Sequence, residues 1–340
     1  MDRNPLPLAL TSGDPAGIGP DITLLAWQAR ARDRIPPFAL LGDPGVLAAR
    51  AEALGLDVPI ATVDRIEHAS ARFAQALPVL SVPIEAPVVA GRPDGAAVPA
   101  IRQSIERAVD LVRAGAACAV VTNPIAKSVL YGTGFAFPGH TEYLASLAAA
   151  RGEPVQPVML LASPDLKVVP VTIHVPLKDV PRLLTPDLIL STLEITARDL
   201  ERYFGLARPR LAVTGLNPHA GEDGTLGREE IEIIAPAIEA ARAKGLAVSG
   251  PYPADTLFHA GARAEYDAAI CMYHDQALVP FKTLAFEKGV NVTLGLPFVR
   301  TSPDHGTAFG IAGTGKADPR SLIEALRLAA SMAASAKAHS

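Results

Sequence analysis

Cysteine is scarce in this chain: its 340 residues include only Cys118 and Cys271. Each sits inside an apolar run, far from the other, with no C-x-x-C pair and no disulfide framework. That usage fits a reducing compartment. Long apolar stretches are lacking too, and none approaches the roughly 20 residues that span a bilayer. The opening MDRNPLPLALTSGDP has no extended apolar segment ahead of its polar turn, so no secretory signal peptide is expected. Nor is there an excess of positive charge: 31 basic residues face 35 acidic ones, a net charge of −4. Without a basic stripe, nucleic acid is not an expected partner. These absences lead to the expectation of a cytoplasmic protein with no membrane association.

Two nucleotide signatures are also incomplete. SGDPAGIGP (Ser12–Pro20) has glycines at 13, 17 and 19, which is not the G-x-G-x-x-G spacing of a dinucleotide fold. GIAGTGK (Gly310–Lys316) fits G-x-x-x-x-G-K, but Ala317 stands where a P-loop needs Ser or Thr to ligate magnesium. A nucleotide cofactor would have to bind by another mode.

What is present is a large apolar fraction, 49% hydrophobic against 19% charged, enough for a sizeable core. The length suits about two domains. Short aliphatic runs alternate with helical patterns, which predicts an α/β fold with a largely parallel sheet. Strands are expected at Leu6–Leu10, Cys118–Val121, Val168–Ile173, Leu211–Thr214 and Ala268–Tyr273. Apolar spacing at Ile101, Ile105, Val109 and Val112 predicts a helix over 98–114. Further helices are expected at Asp187–Phe204, at Arg228–Lys244 with a bend at Pro236, and at Pro319–Ala334. In open α/β sheets ligands bind beyond the carboxyl ends of strands, and the polar clusters fall there.

Three histidines each follow an expected strand: His174 in VTIHVPL, His219 in GLNPHAGE and His274 in CMYHDQ. Imidazole suits zinc, cobalt, nickel or iron, and three protein ligands leave a position open for substrate. Each alone also fits a structural or surface role, and their spacings match no local metal motif. Asp275 and Asp255 could orient an imidazole or bind a cation directly; each also fits a cap or a turn. Cys271, facing away from position 274 on a strand, belongs to the core.

PGHTEYL (Pro138–Leu144) reads as a helix start with Thr141 as its N-cap. Free N–H groups there, with His140 and Thr141, favour a phosphate or carboxylate. Lys282, Asn291 and Arg300 form a candidate anion clamp, since arginine grips two oxygens at once. Asn291 interrupts the apolar run VNVTLGL, where an idle amide would be costly.

The strings SGDPAGIGPD, FPGHTE, GLNPHAGEDGTLGREE, GPYPADTLF, MYHDQALVPFK and GVNVTLGLPFVRTSPDHGTAFGIAGTGKADP occur in this order through nearly the whole chain. The chain thereby resembles the 4-hydroxythreonine-4-phosphate dehydrogenase family of pyridoxine biosynthesis. The resemblance implies that His174, His219 and His274 bind a divalent cation (zinc, cobalt or magnesium), the third ligand coming from the partner subunit of a homodimer. It implies that His140, Thr141, Lys282, Asn291 and Arg300 contact a phosphorylated hydroxy-amino-acid.

It further implies two α/β/α domains with a cleft, like isocitrate and isopropylmalate dehydrogenases. An outer, cofactor-side domain would span 1–130 plus 280–340, and an inner one, 131–279, would carry metal ligands and dimer contacts. The loop with Asp304, His305, Gly306, Thr307, Ala312 and Gly313 would hold NAD or NADP. The implied reaction oxidises 4-phosphooxy-L-threonine to 2-amino-3-oxo-4-phosphooxybutanoate, which loses carbon dioxide to give 3-amino-2-oxopropyl phosphate. Lys282, Asp255 and Asp275 are the candidate proton acceptors. Alternatives are a paralogue acting on D-erythronate- or D-threonate-4-phosphate, a dihydrodiol dehydrogenase, or a non-redox metal-dependent lyase or phosphatase.

Overall fold

The structure, a computed structural model, describes residues 6–126, 129, 137, 139–149 and 155–338. The chain forms two compact units, residues 1–156 with 296–334 and residues 157–295 with 335–340. The domain division expected at 130 and 131 lies outside the described residues. Numbered along the chain, the strands are β1 Leu8–Thr11, β2 Phe38–Gly42, β3 Ile60–Thr62, β4 Leu77–Ser81, β5 Val120–Thr122, β6 Val158–Ala162, β7 Lys167–Thr172, β8 Arg210–Thr214, β9 Ala247–Tyr252, β10 Ala268–Tyr273, β11 Val290–Leu294 and β12 Arg300–Pro303.

In the first unit the strand order is β3-β4-β2-β1-β5-β12, and neighbours run parallel. β1 and β2 are buried along their whole length, as parallel strands covered on both faces must be. The helix Val98–Arg113 turns Val98, Ile101, Ile105, Ala108 and Val109 inward, the 3.6-residue stripe visible in the sequence. Ile105 is 1% exposed, so truncating it to alanine would cost about 2–5 kcal/mol through lost burial and the cavity left behind. The same helix carries the buried Ser104, whose hydroxyl accepts the Ser12 N–H and donates to the Leu41 carbonyl. That bond ties the turn after β1 to β2.

In the second unit the order is β11-β6-β7-β10-β8-β9. β7, β10, β8 and β9 run parallel, but β6 is antiparallel to both β7 and β11. The sheet is thus largely parallel as expected, with β6 the one reversed strand among the described pairings. Ser163 Oγ accepts the N–H groups of Asp165 and Leu166, closing a hairpin too short for a parallel crossover. The helix expected at Arg228–Lys244 is a π-helical turn, Glu230–Ile234, running into an α-helix, Ala235–Ala243. Pro236 lies inside this continuous helical run, just after the π-turn, and its missing N–H and ring disturb the preceding turn, so the irregularity falls where the bend was expected. No described helix is long and apolar enough to cross a membrane.

Candidate functional site

The second unit delivers two of the three histidines to neighbouring strand ends. Tyr273 of β10 pairs with Thr172 of β7, and Thr172 Oγ1 donates to the Met272 carbonyl at 2.7 Å. His174 and His274 lie just beyond, with ring centroids 5.7 Å apart and planes tilted by 42°. His274 opens the helix His274–Ala285, and its Nδ1 lies 2.7 Å from Asp275 Oδ1. A carboxylate on one ring nitrogen fixes the imidazole's orientation and leaves Nε2 for a cation. Gln276 completes the support: its Oε1 accepts Met272 N and Thr214 Oγ1, and its Nε2 donates to the Gly215 carbonyl. It thereby fastens the end of β10 to the end of β8. Cys271 is fully buried, and burial pushes its thiol pKa up, so it is a core residue rather than a ligand.

His219 is exposed in the loop after β8. Residues 219–223 all have positive φ, although only Gly221 among them is glycine. Left-handed backbone costs each L residue roughly 1–2 kcal/mol, so this turn is held from outside. Asp255, exposed on the short helix Ala254–Leu257, belongs to an element that packs against the His219 loop. Among the described residues, no group of three or more His, Cys, Asp or Glu side chains is placed to hold a metal ion. What the chain offers is the His174–His274 pair, close enough for one borderline divalent ion to bridge. That donor chemistry fits a cation whose coordination is completed by a further ligand.

The anion-clamp candidates divide between the units. In the second, Lys282 lies along the His274 helix with Nζ 5.9 Å from the Phe286 ring, and half-buried Asn291 sits in β11 opposite Leu161. In the first, Arg300 opens β12 and is 3% exposed. Its Nη2 donates to Thr122 Oγ1 at 2.6 Å. Burial pushes the guanidinium pKa down to about 10, opposed by the charge of Glu142. Glu142 belongs to the first turn of the helix His140–Ala149, so Arg300 and the His140–Thr141 helix start are electrostatically coupled. Thr141 is the second residue of that helix rather than its N-cap. Its neighbour Pro138 lies outside the described residues.

The loop expected to hold a nicotinamide cofactor has its seat in the same unit, on the glycine-rich turn that lacks the dinucleotide fingerprint. Ile18 N donates to Thr307 O at 3.0 Å, and a Cβ on Gly17 would stand 2.9 Å from that oxygen. Gly313 N donates to Asp21 Oδ1 at 2.7 Å, and Asp304 N to Ser321 Oγ at 3.0 Å. Asp21 is paired with Arg50, whose guanidinium also reaches the Pro15 and Gly17 carbonyls. An open cavity of about 380 Å³ lies beside Arg50 and Ala90, and Ala90 is the nearest neighbour a Cβ on Gly313 would meet. His305 and Gly306 follow on the partly exposed stretch after Asp304, and Ala312 is buried beside Gly313. Sequence reasoning missed Asp21, Arg50, Gln276, Ser104 and Glu230. Asp21, Gln276 and Glu230 at least belong to the family-like strings, which assign them no role, whereas Arg50 and Ser104 lie outside those strings and carried no one-dimensional signal.

The described strands and helices form an α/β fold in which His174 and His274 stand just past the carboxyl ends of β7 and β10. A branched-chain phosphotransacylase from Enterococcus faecalis V583 shares this fold, at a TM-score of 0.55 and 11% identity. The chain belongs to the family described as pyridoxal phosphate biosynthetic protein PdxA, which matches residues 34–329. It is 60% identical over 336 residues to a 4-hydroxythreonine-4-phosphate dehydrogenase of Bradyrhizobium diazoefficiens, covering 96% of this chain and 97% of that one. A crystal structure of 4-hydroxythreonine-4-phosphate dehydrogenase from Klebsiella pneumoniae superposes with a TM-score of 0.86 at 38% identity, covering 98% and 99% of the two chains.

Proposed function

We propose that the chain is a metal-assisted dehydrogenase that uses NAD or NADP to oxidise 4-phosphooxy-L-threonine to 2-amino-3-oxo-4-phosphooxybutanoate. The product then decarboxylates to 3-amino-2-oxopropyl phosphate, a step of pyridoxal phosphate biosynthesis. The observation that carries this reading is the His174–His274 pair at adjacent strand ends in a member of this family.

His174, His219 and His274 would hold the cation, which when bound supplies Lewis-acid polarisation of the C3 hydroxyl. The loop containing Asp304, His305, Gly306, Thr307, Ala312 and Gly313 would hold the nicotinamide cofactor, which supplies the hydride acceptor. Arg300, His140, Thr141, Lys282 and Asn291 grip phosphate and carboxylate, so that C3 is positioned by orientation. Burial around Arg300 excludes water and strengthens its attraction for an anion. Asp275 is engaged by His274 and keeps that imidazole in place, which leaves Asp255, or Lys282 in its neutral form, to take the hydroxyl proton.

A homodimer is part of the same reading. Val175 and Leu177 beside His174, Leu226 beyond His219, and Val279, Leu284 and Phe286 on or just past the His274 helix are all exposed. Large apolar side chains gathered around candidate ligands are the surface a second copy would cover. The protein would thus act in the cytoplasm as a dimer, with one cation ligand taken from the partner.

The test is to follow reduced nicotinamide with purified protein, 4-phosphooxy-L-threonine and NAD or NADP, with and without a chelator. The reading expects reduced nicotinamide only when substrate, oxidised cofactor and cation are all present. Substrate consumption without nicotinamide would instead indicate a non-redox lyase or phosphatase.

A further inference from the structure

We propose that Glu230 is a positioning residue for His219, its buried carboxylate latching the left-handed turn that presents the imidazole. The inference rests on the reading of His219 as a cation ligand.

The turn has an unusual backbone. His219, Ala220, Gly221, Glu222 and Asp223 have φ between 43° and 79°, a region that L side chains resist. Three backbone hydrogen bonds close it locally, Ala220 N to Asn217 O, Thr225 N to Glu222 O and Leu226 N to Gly221 O. The entry into the turn is held by Glu230, which is 3% exposed. Its Oε1 accepts Leu216 N and Asn217 N, both at 2.7 Å. Its Oε2 accepts Asn217 Nδ2 at 3.0 Å. These donors lie immediately before Pro218 and His219, so the carboxylate sets the direction in which the chain enters the left-handed run.

The chemistry at position 230 is restrictive. All three groups facing the side chain are donors, so an acceptor-only group is required. An amide there would turn its own NH₂ toward one of them. Packing leaves no slack either, because a Cβ on Gly221 would stand 2.5 Å from Glu230 Oε2. His219 itself is exposed, so its place follows from backbone direction rather than from burial of its ring. Partners that orient a ligand in this way typically control metal affinity by 10–100-fold.

The test titrates full-length protein with Co²⁺, read by calorimetry and by the visible cobalt band. The variants are Glu230→Gln, Ala220→Gly, the two combined, and His219→Ala, with a thermal midpoint recorded for each. Glu230→Gln is expected to weaken Co²⁺ binding roughly 10–100-fold and to shift the band. Ala220→Gly relieves backbone strain, so the combined variant should regain thermal stability while its cobalt affinity stays low. Wild-type affinity in Glu230→Gln, or affinity that returns together with stability, would overturn the proposal, because Glu230 would then merely support the fold. Should Glu230→Gln not fold, Glu230→Asp takes its place: a displaced carboxylate should lower affinity, and full affinity would overturn the proposal. If Glu230→Gln binds normally while His219→Ala is impaired, the latch alone is wrong. If His219→Ala itself binds Co²⁺ normally, the ligand reading falls and the latch with it.

Discussion

Asp21 and Arg50 form an ion pair with side-chain exposures of 0% and 5%, and the same Asp21 carboxylate accepts the backbone N–H of Gly313. Three stretches far apart in sequence thus meet on one pair of charges: the glycine-rich turn after β1, the helix Pro44–Leu54 and the loop after β12. Removing one member of a buried pair strands the other charge, at about 3–5 kcal/mol. Arg50→Met should therefore lower the urea midpoint markedly, with an unchanged slope. Because Gly313 loses a fixed acceptor geometry, the variant should also raise the KM for nicotinamide cofactor more than that for substrate. Equal changes in both would detach the pair from the cofactor loop.

Arg300 leads to a prediction about the anion. Its buried guanidinium, bonded to Thr122, is matched to two oxygens at once in a way an ammonium is not. Arg300→Lys is expected to lose a charge-assisted bond of about 1.5–3 kcal/mol, roughly 10–100-fold in substrate KM. An inorganic phosphate titration should show a parallel loss. Unchanged phosphate affinity would remove Arg300 from the clamp.

Asp14 supplies a pH dependence. It is 2% exposed, and burial raises its pKa above the ordinary 3.8, partly offset by the bond from Ala16 N. The folded state then binds its proton more tightly than the unfolded chain. Stability from this group falls as pH rises from 3.8 through the raised folded value, and the penalty persists at neutrality. Asp14→Asn keeps the acceptor for Ala16 N and should be more stable than the parent near pH 7. That advantage should vanish below pH 3.8, where both states of Asp14 are protonated. Denaturant midpoints of the two proteins across this range check the sign.

The parts of the fold legible in sequence were those written in local periodicity. β1, β7, β8 and β10 fall within two residues of their expected ends, and Val98–Arg113 follows its apolar stripe. His174, His219 and His274 were legible by position after strands, and the proximity of His174 to His274 follows from β7 pairing with β10. Other features depend on contacts no local pattern records. β6 reverses because of a serine-capped hairpin. Arg50 looks like a solvated helix residue until Asp21, 29 positions earlier, is found against it. The glycines of SGDPAGIGP were read for a nucleotide spacing they lack, whereas Gly17 is small because Thr307 approaches it.

The central claim is that this chain oxidises the hydroxyl of 4-phosphooxy-L-threonine in preference to related phosphorylated acids. A hydroxy-acid pocket discriminates through hydrogen bonds that the wrong substrate leaves unmade. The decisive measurement is kcat/KM, from reduced nicotinamide formation, for 4-phosphooxy-L-threonine, D-erythronate-4-phosphate and D-threonate-4-phosphate under identical metal and cofactor. The account predicts the threonine compound to lead by at least about 100-fold, the ratio that roughly 3 kcal/mol of specific contact supports, with 3-amino-2-oxopropyl phosphate as product. A higher value for either sugar acid, or no nicotinamide reduction with the threonine compound, would contradict it.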